Sequence, residues 1–384
     1  MSLRLGIHDL SLATTSFVVQ LDDLAAYAGV DPDKYRLGLG QEQMSVPGAD
    51  EDIVTMAARA AAPILERHGV DGIRTLYVAT ESGVDQSKSA AVFVHSLLGL
   101  PSSCRAVELK QACYSGTAAL QAALGQIARS PEDRVLVISA DIARYALDSA
   151  AEVTQGAAAV AMLVSADPAL VELESATGIY TAEVDDFWRP NDSSTALVDG
   201  KLSVDAYIDA YLGAWDDYRA HGGVPIEQID RFCHHQPFTR MAAKAQRALA
   251  EHVGAEIDEA RHLGSTRYNR RIGNSYTASL YAGLASLLDG DDDLTGARIG
   301  LYSYGSGSIG EFLAGRVVPG YRDHGRAAAT LAALDTRTTL SIEQYRALHA
   351  GAAIGSVQDV TIAPVSSGPF HFTGVTGRAR HYRR

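Results

Sequence analysis

At 384 residues, 47% hydrophobic and 21% charged, the chain has the make-up of a soluble globular protein long enough for two domains or one duplicated fold. A net charge of −13 argues against nucleic acid as a general partner, and the longest apolar stretch, Gly156 to Ser165, is about half of what a membrane span needs. Asp9 interrupts any N-terminal apolar run, so no signal peptide is expected; Cys104, Cys113 and Cys233 show neither CxxC nor metal spacing, which points to a reducing cytoplasm.

Strand-like runs alternate with helical patterns along the chain, which implies an α/β protein built on central sheets. Residues 69–81 read as a strand ending on Glu81, with a helix to follow from about Ser87. Ala106-Val107-Glu108-Leu109 alternates, and Cys113 stands where this strand hands over to a helix of small residues between Ala118 and Ile127. A thiol there faces unpaired N–H groups and the positive end of the helix dipole, which favours thiolate, the form that attacks thioesters. Arg134 to Asp141 gives a further strand, followed by a glycine turn at Gly156. Beyond a break near Asp167, which divides 1–166 from 167–384, the plan recurs. Residues 223–235 form a strand ending on His234 and His235, with a helix from about Phe238. Gly273 to Leu280 opens a second small-residue helix, and Ala297 to Tyr304 runs into Gly305-Ser306-Gly307.

This duplication puts Glu81, Cys113, His235 and Asn274 at matching ends of matching elements. In open α/β sheets ligands bind outside the carboxyl ends of the strands, so the four groups are expected to converge. Cys113 is the candidate nucleophile, and His235 a proton carrier near neutral pH. His234 should face the opposite way; Cys233 is read as core packing on the face of His234. A carboxyl at a buried strand end has a raised pKa, which suits Glu81 to take a proton from carbon beside a thioester. Asn274 and the Ser303 to Ser308 turn offer donors for a developing oxyanion.

These residues resemble the hydroxymethylglutaryl-CoA synthases of the thiolase superfamily. The likeness is carried by Ala79-Thr80-Glu81-Ser82, Glu108 to Tyr114, Thr154 to Leu163, Asp186-Phe187-Trp188-Arg189-Pro190, His235-Gln236-Pro237-Phe238-Thr239, Gly273 to Thr277 and Ser303 to Ser308, in the family's order. It runs to about Gly320 and fades beyond, where Phe370 to Val375 resembles a family strand but Thr376 to Arg380 departs from the usual continuation. The resemblance implies a thiolase-like five-layer αβαβα fold of two duplicated halves, and a homodimer. It implies acetyl-CoA and acetoacetyl-CoA as substrates and no metal or other cofactor. Cys113 would carry the acetyl group, Glu81 would deprotonate its methyl, and His235 would bind and polarise the acetoacetyl ketone. The Cys113 and Ser306 amides would form an oxyanion hole, Asn274 would hold the acetoacetyl group, and Tyr145, Thr154 and Asp186 would line the pocket. Arg240, Lys244 and Arg247 recur at helical spacing after His235 and could meet the CoA phosphates.

Rival readings remain open at this point. A ketoacyl synthase III-like enzyme would share Cys113, His235 and Asn274, but decarboxylative condensation needs no carbon base at Glu81. Replacing Glu81 by Ala should then spare acetylation and abolish carbon–carbon bond formation. A polyketide β-branching synthase would act on carrier-protein-bound groups, although Phe187 to Gly200 and Ala206-Tyr207 read as the mevalonate-pathway type. A degenerate interaction partner would form no acetyl adduct.

Overall fold

The computed structural model describes residues 3–256, 258–324, 326–351 and 358–384. Nine strands form the main sheet: β1 (Leu5–Thr14), β2 (Ile73–Ala79), β3 (Arg105–Leu109), β4 (Arg134–Ile142), β5 (Ala157–Ala166), β6 (Val171–Thr181), β7 (Arg231–His234), β8 (Arg298–Gly305) and β9 (Ile309–Val317). Their spatial order is β7-β8-β9-β6-β1-β5-β4-β2-β3. Outward from the centre, β1-β5-β4-β2 is mirrored by β6-β9-β8-β7, with the same alternation of antiparallel and parallel pairings. The two runs meet at β1 and β6 through just two register pairs, Gly6 with Glu172 and Ile7 with Val171.

Six helices complete the layers: α1 (Ile53–His68), α2 (Ala90–Leu98), α3 (Ser115–Arg129), α4 (Gly200–Ala220), α5 (Met241–Val253) and α6 (Ser279–Leu288). Helices α1 and α2 cover the outer face of the first run, α4 and α5 that of the second, and α3 and α6 lie between the two runs. Read through the molecule this is the five-layer αβαβα arrangement of the thiolase-like fold. The cores sort accordingly into one cluster per outer interface and one around the central helices.

The apolar run of β5 has no polar alternation because both of its faces are covered. Ala158, Val160, Met162 and Val164 enter the central core, while Ala157, Ala159, Ala161 and Leu163 enter the outer one. Every residue of α6 is buried, which its small and apolar composition permits. Small residues also let α3 approach closely: a Cβ on Gly116 would meet Ser139 Oγ at 2.4 Å and Thr277 O at 3.2 Å.

Several boundaries differ from the sequence reading. α2 starts at Ala90 rather than Ser87, and α5 at Met241 rather than Phe238, after turns that release the preceding site residues from helical geometry. Asn274 precedes a 3-10 turn, Tyr276–Ala278, before α6 begins. Cys233 is buried as expected but on the face opposite His234: Cys233 joins the central cluster, whereas His234 stacks on Phe232 and meets Tyr211 Oη at 3.1 Å. Strand alternation requires this, because neighbours in sequence point to opposite faces.

Beyond the sheet, α7 (Ile342–Gly351) lies against the loop that follows β4. The C-terminal strands His371–Thr376 and Ala379–Arg383 form a hairpin tied to the start of α1, where Tyr382 Oη donates to Asp52 Oδ2 at 2.6 Å. Among the described residues no helix is long and apolar enough to cross a membrane.

Candidate active site

β2 ends at Ala79, and the next three residues turn around one buried carboxylate. Asp141 Oδ1, near the end of β4, accepts from Thr80 Oγ1 at 2.8 Å and from the amides of Glu81 and Ser82 at 2.9 Å each. Its Oδ2 accepts from the Thr277 amide and hydroxyl, at 3.1 and 2.5 Å. One side chain thus fixes the Glu81 turn and joins it to the turn that opens α6. In the sequence Asp141 is only the acid that ends a strand, after the apolar run Val135 to Ile138 and Ser139-Ala140.

The strand of Cys113 ends at Leu109, and the chain then kinks through Ala112, whose φ is +43°. That kink delivers Cys113 two residues ahead of α3, buried, with Sγ 3.1 Å from Glu81 Oε1. The opposing turn from β8 to β9 packs directly on this elbow. A Cβ on Gly305 would meet Gln111 O at 2.6 Å and Tyr114 N at 2.7 Å, so glycine is needed for the approach. Gln111 Nε2 donates to Ser306 O at 3.3 Å, and Tyr114 Oη donates to Glu311 Oε2 at 2.6 Å from the far side.

Electrostatics correct the thiolate expectation. Burial first, then the charge and hydrogen bond of Glu81, push the Cys113 thiol well above its usual range. A helix N-terminus contributes roughly 0.3–1 kcal/mol, too little against desolvation plus neighbouring acids. The resting pair is therefore thiol and carboxyl. Burial, followed by the Asp141 charge, moves Glu81 up to about 8, opposed by the Cys113 hydrogen bond and the Arg189 guanidinium. The raised value expected for Glu81 is what its surroundings produce.

His235 follows β7, its amide on Tyr302 O at 2.8 Å and its carbonyl receiving Tyr207 Oη at 2.8 Å. Burial lowers its pKa to about 3, so the imidazole is neutral at neutral pH. It can donate or accept a hydrogen bond, but it is no reservoir of imidazolium. Asn274 is seated by its amide on Thr154 O at 3.0 Å, and its Oδ1 accepts from Tyr276 N at 2.9 Å.

Cys113, His235, Asn274, Ser306, Tyr145 and Thr154 line one cavity of about 500 Å³, with Phe187, Tyr207 and Tyr276 among its aromatic walls. Asp186 does not enter it. That carboxylate sits behind, accepting from Tyr304 Oη and the Gly307 amide at 2.9 Å each, and so holds the Ser306 turn. The Tyr145–Thr154 wall is clamped by α7: Tyr345 Oη donates to Glu152 at 2.8 Å, Gln155 Nε2 to Tyr345 at 2.7 Å, and the His349 ring meets Tyr145 O at 2.8 Å. No sequence feature announced this clamp, since it depends on a helix 190 or more residues away.

Arg240, Lys244 and Arg247 are exposed. Lys244 Nζ lies 5.1 Å over the ring of Phe238, a cavity residue, and the Arg240 amide bonds Leu39 O, also of the cavity, at 2.8 Å. Arg247 lies almost a turn beyond Lys244, and no described contact ties it to the cavity. Among the described residues, no group of three or more His, Cys, Asp or Glu could hold a metal ion.

A sheltered thiol bonded to a carboxyl base, framed by a histidine and an asparagine on a mirrored αβαβα scaffold, defines a condensing enzyme of the thiolase type. Comparison with known proteins narrows this. The N-terminal and C-terminal models of hydroxymethylglutaryl-coenzyme A synthase match residues 2–169 and 246–350, and the chain belongs to that family. It is 42% identical to the hydroxymethylglutaryl-CoA synthase of Enterococcus faecalis, covering 91% of this chain and 92% of that one. Identity to the polyketide biosynthesis 3-hydroxy-3-methylglutaryl-ACP synthase PksG of Bacillus subtilis is 33%, over 91% and 89%. The solved structure of MvaS in complex with 3-hydroxy-3-methylglutaryl coenzyme A superposes with a TM-score of 0.90 at 38% identity, covering all of both chains. The likeness therefore continues past Gly320, the limit expected from the sequence: the C-terminal family model reaches residue 350 and the superposition spans the whole chain.

Proposed function

We propose that the chain condenses acetyl-CoA with acetoacetyl-CoA and water to 3-hydroxy-3-methylglutaryl-CoA and free CoA. The observation that carries this is the 3.1 Å approach of the Cys113 thiol to Glu81 beside a cavity shared with His235 and Asn274. In the molecules in which Glu81 is ionised, Cys113 Sγ attacks the acetyl carbonyl, its proton passes to the Glu81 carboxylate and on to the departing sulfur, and CoA leaves as the thiol. Glu81, again a carboxylate, takes a proton from the methyl of acetyl-Cys113. The resulting carbon attacks the ketone of acetoacetyl-CoA, and the proton held by Glu81 returns to the alkoxide. Water then cleaves the thioester to Cys113 and frees the product. The Cys113 and Ser306 amides stabilise the oxyanion, Asn274 holds the acetoacetyl group, and neutral His235 polarises the ketone as a hydrogen-bond donor. Tyr145 and Thr154 shape the pocket, and Asp186 supports it from behind.

The steps are acyl transfer, proton transfer, addition of carbon to a ketone and hydrolysis by water, none of which changes an oxidation state, so the proposal includes no resident cofactor. Higher identity to the Enterococcus CoA synthase than to the carrier-protein synthase favours free CoA thioesters and a place in a mevalonate route. A cytoplasmic homodimer fits this reading: β3 is an edge strand of the sheet with Val107 37% exposed, a surface a second copy could cover.

The test is product analysis with acetyl-CoA plus acetoacetyl-CoA, beside an acetoacetyl carrier protein, with intact mass after acetyl-CoA alone. An acetyl adduct on Cys113 and 3-hydroxy-3-methylglutaryl-CoA from the free thioesters are expected. Turnover confined to the carrier substrate would overturn the acceptor assignment, and absence of the adduct would overturn the enzyme.

A further inference from the structure

The loop after β6 pairs Phe187-Trp188 with Leu197-Val198 in a short antiparallel ladder. Phe187 turns into the cavity, edge-on to Tyr145 and Tyr276 at ring distances of 6.1 and 5.6 Å, which seats the ladder against the cavity wall. The next residue but one, Arg189, reaches back across the site. Its Nη2 donates to the backbone carbonyl of Glu81 at 2.9 Å. A loop of the second half thereby holds the turn that carries the base of the first.

The groups facing the Glu81 carboxyl are the Cys113 thiol from the elbow, Asp141 from the end of β4, the phenols of Tyr145 and Tyr276, and Arg189. Of these, Arg189 alone is positive. Arg144, also close by, is engaged elsewhere, donating to the His349 carbonyl. We propose that Arg189 is a positioning residue that pins the Glu81 turn and supplies the positive charge that lets Glu81 work as a base in carbon–carbon bond formation.

The proposal rests on the reading of Glu81 given above. Burial and Asp141 both favour the protonated carboxyl, and an acid held protonated removes no proton from carbon. A guanidinium stays charged across the working pH range, so its effect is constant while Glu81 titrates. Because Arg189 is exposed, its removal leaves no cavity. What it takes away is the charge and one hydrogen bond.

The experiment follows single-turnover condensation of pre-acetylated enzyme with acetoacetyl-CoA from pH 5.5 to 9.5, in wild type, Arg189→Gln, Arg189→Lys and Glu81→Ala. Starting from the acetyl-enzyme separates condensation from thiol chemistry. Arg189→Gln is expected to shift the acid limb upward by roughly 0.5–1 pH unit, a loss of about 3- to 10-fold at pH 7 that disappears on the alkaline plateau. Arg189→Lys is expected to keep the wild-type limb. A limb that does not move, or a rate depressed equally at every pH, would overturn the inference while Glu81→Ala still reports on the base. Condensation surviving in Glu81→Ala would overturn the reading of Glu81 itself, and the inference with it.

Discussion

Thr277 donates twice to Asp141, through its amide at 3.1 Å and its hydroxyl at 2.5 Å, so the turn before α6 and the turn of Glu81 share one carboxylate. Asp141→Asn replaces one acceptor oxygen with a donor NH2 in a ring of five donors, and some donors must then go unpaired. A loss of about 1–3 kcal/mol in urea unfolding is expected, with condensation impaired beyond what stability explains. Unchanged unfolding and unchanged turnover would show that the carboxylate holds nothing.

Glu81→Ala is expected to accept acetyl from acetyl-CoA and to make no product. The 3.1 Å hydrogen bond means that acetylation also slows, an addition to what the sequence alone suggested. The two steps differ in demand: even a thiol whose ionisation is disfavoured by burial is far more acidic than a methyl beside a thioester. Condensation should fall about 10²–10⁴-fold or more, and acetyl-adduct formation far less. Equal losses in both, measured by quench and intact mass, would contradict a separate role at carbon.

The pH dependence follows from the raised pKa of Glu81. It climbs from 4.5 to about 8 on folding, so the folded state holds a proton that the unfolded chain releases. This contribution to stability is whole below pH 4.5 and is lost as pH rises towards 8. Glu81→Gln mimics the protonated form at every pH. Its stability relative to wild type should therefore grow between pH 5 and 8, by at most about 1.4 kcal/mol for each step of one in pH. A difference independent of pH in denaturant titrations would mean that Glu81 ionises normally.

Gly305→Ala places a Cβ 2.6 to 2.7 Å from the backbone around Cys113. The turn or the elbow must move by several tenths of an ångström. A cost of about 1–3 kcal/mol in stability is expected, with acetyl-adduct formation at least tenfold slower. Wild-type acetylation would show that the Ser306 turn need not touch the elbow.

Arg240→Ala and Lys244→Ala are expected to raise KM for CoA thioesters about 3- to 10-fold with kcat preserved, whereas Arg247→Ala should change little. Acetyl-pantetheine, which lacks the nucleotide phosphates, supplies the control. If the same variants weaken it equally, these residues act on the helix and not on phosphate.

The four central residues were legible because each lies at a boundary between elements, where strand alternation and helix onset can be read from neighbours within ten positions. Glu81, Cys113, His235 and Asn274 keep those places. Protonation was not legible. The state of Cys113 depends on burial and on acids 28 to 73 residues distant, and that of His235 on its enclosure by the walls of the cavity. Supporting residues were hidden for a similar reason: Asp141, Tyr345 and Arg189 act through partners 60 to 190 positions away. The face of Cys233 departs from the sequence expectation, although strand alternation alone opposes it to His234.

The central layer, one helix from each half, gives the site an order of assembly. When the ribosome has released residues up to β5, the thiol, Glu81 and Asp141 are all present, but Thr277 has not been made and the inner side of α3 has no α6 to cover it. Such a nascent chain would display part of its apolar interior, and the carboxylate ring around Asp141 would stand open to water. The shelter that separates this thiol from an ordinary one is thus acquired late, after more than a hundred further residues have been added. A reactive centre that matures only when the second half closes over it is one the cell cannot obtain from a truncated message.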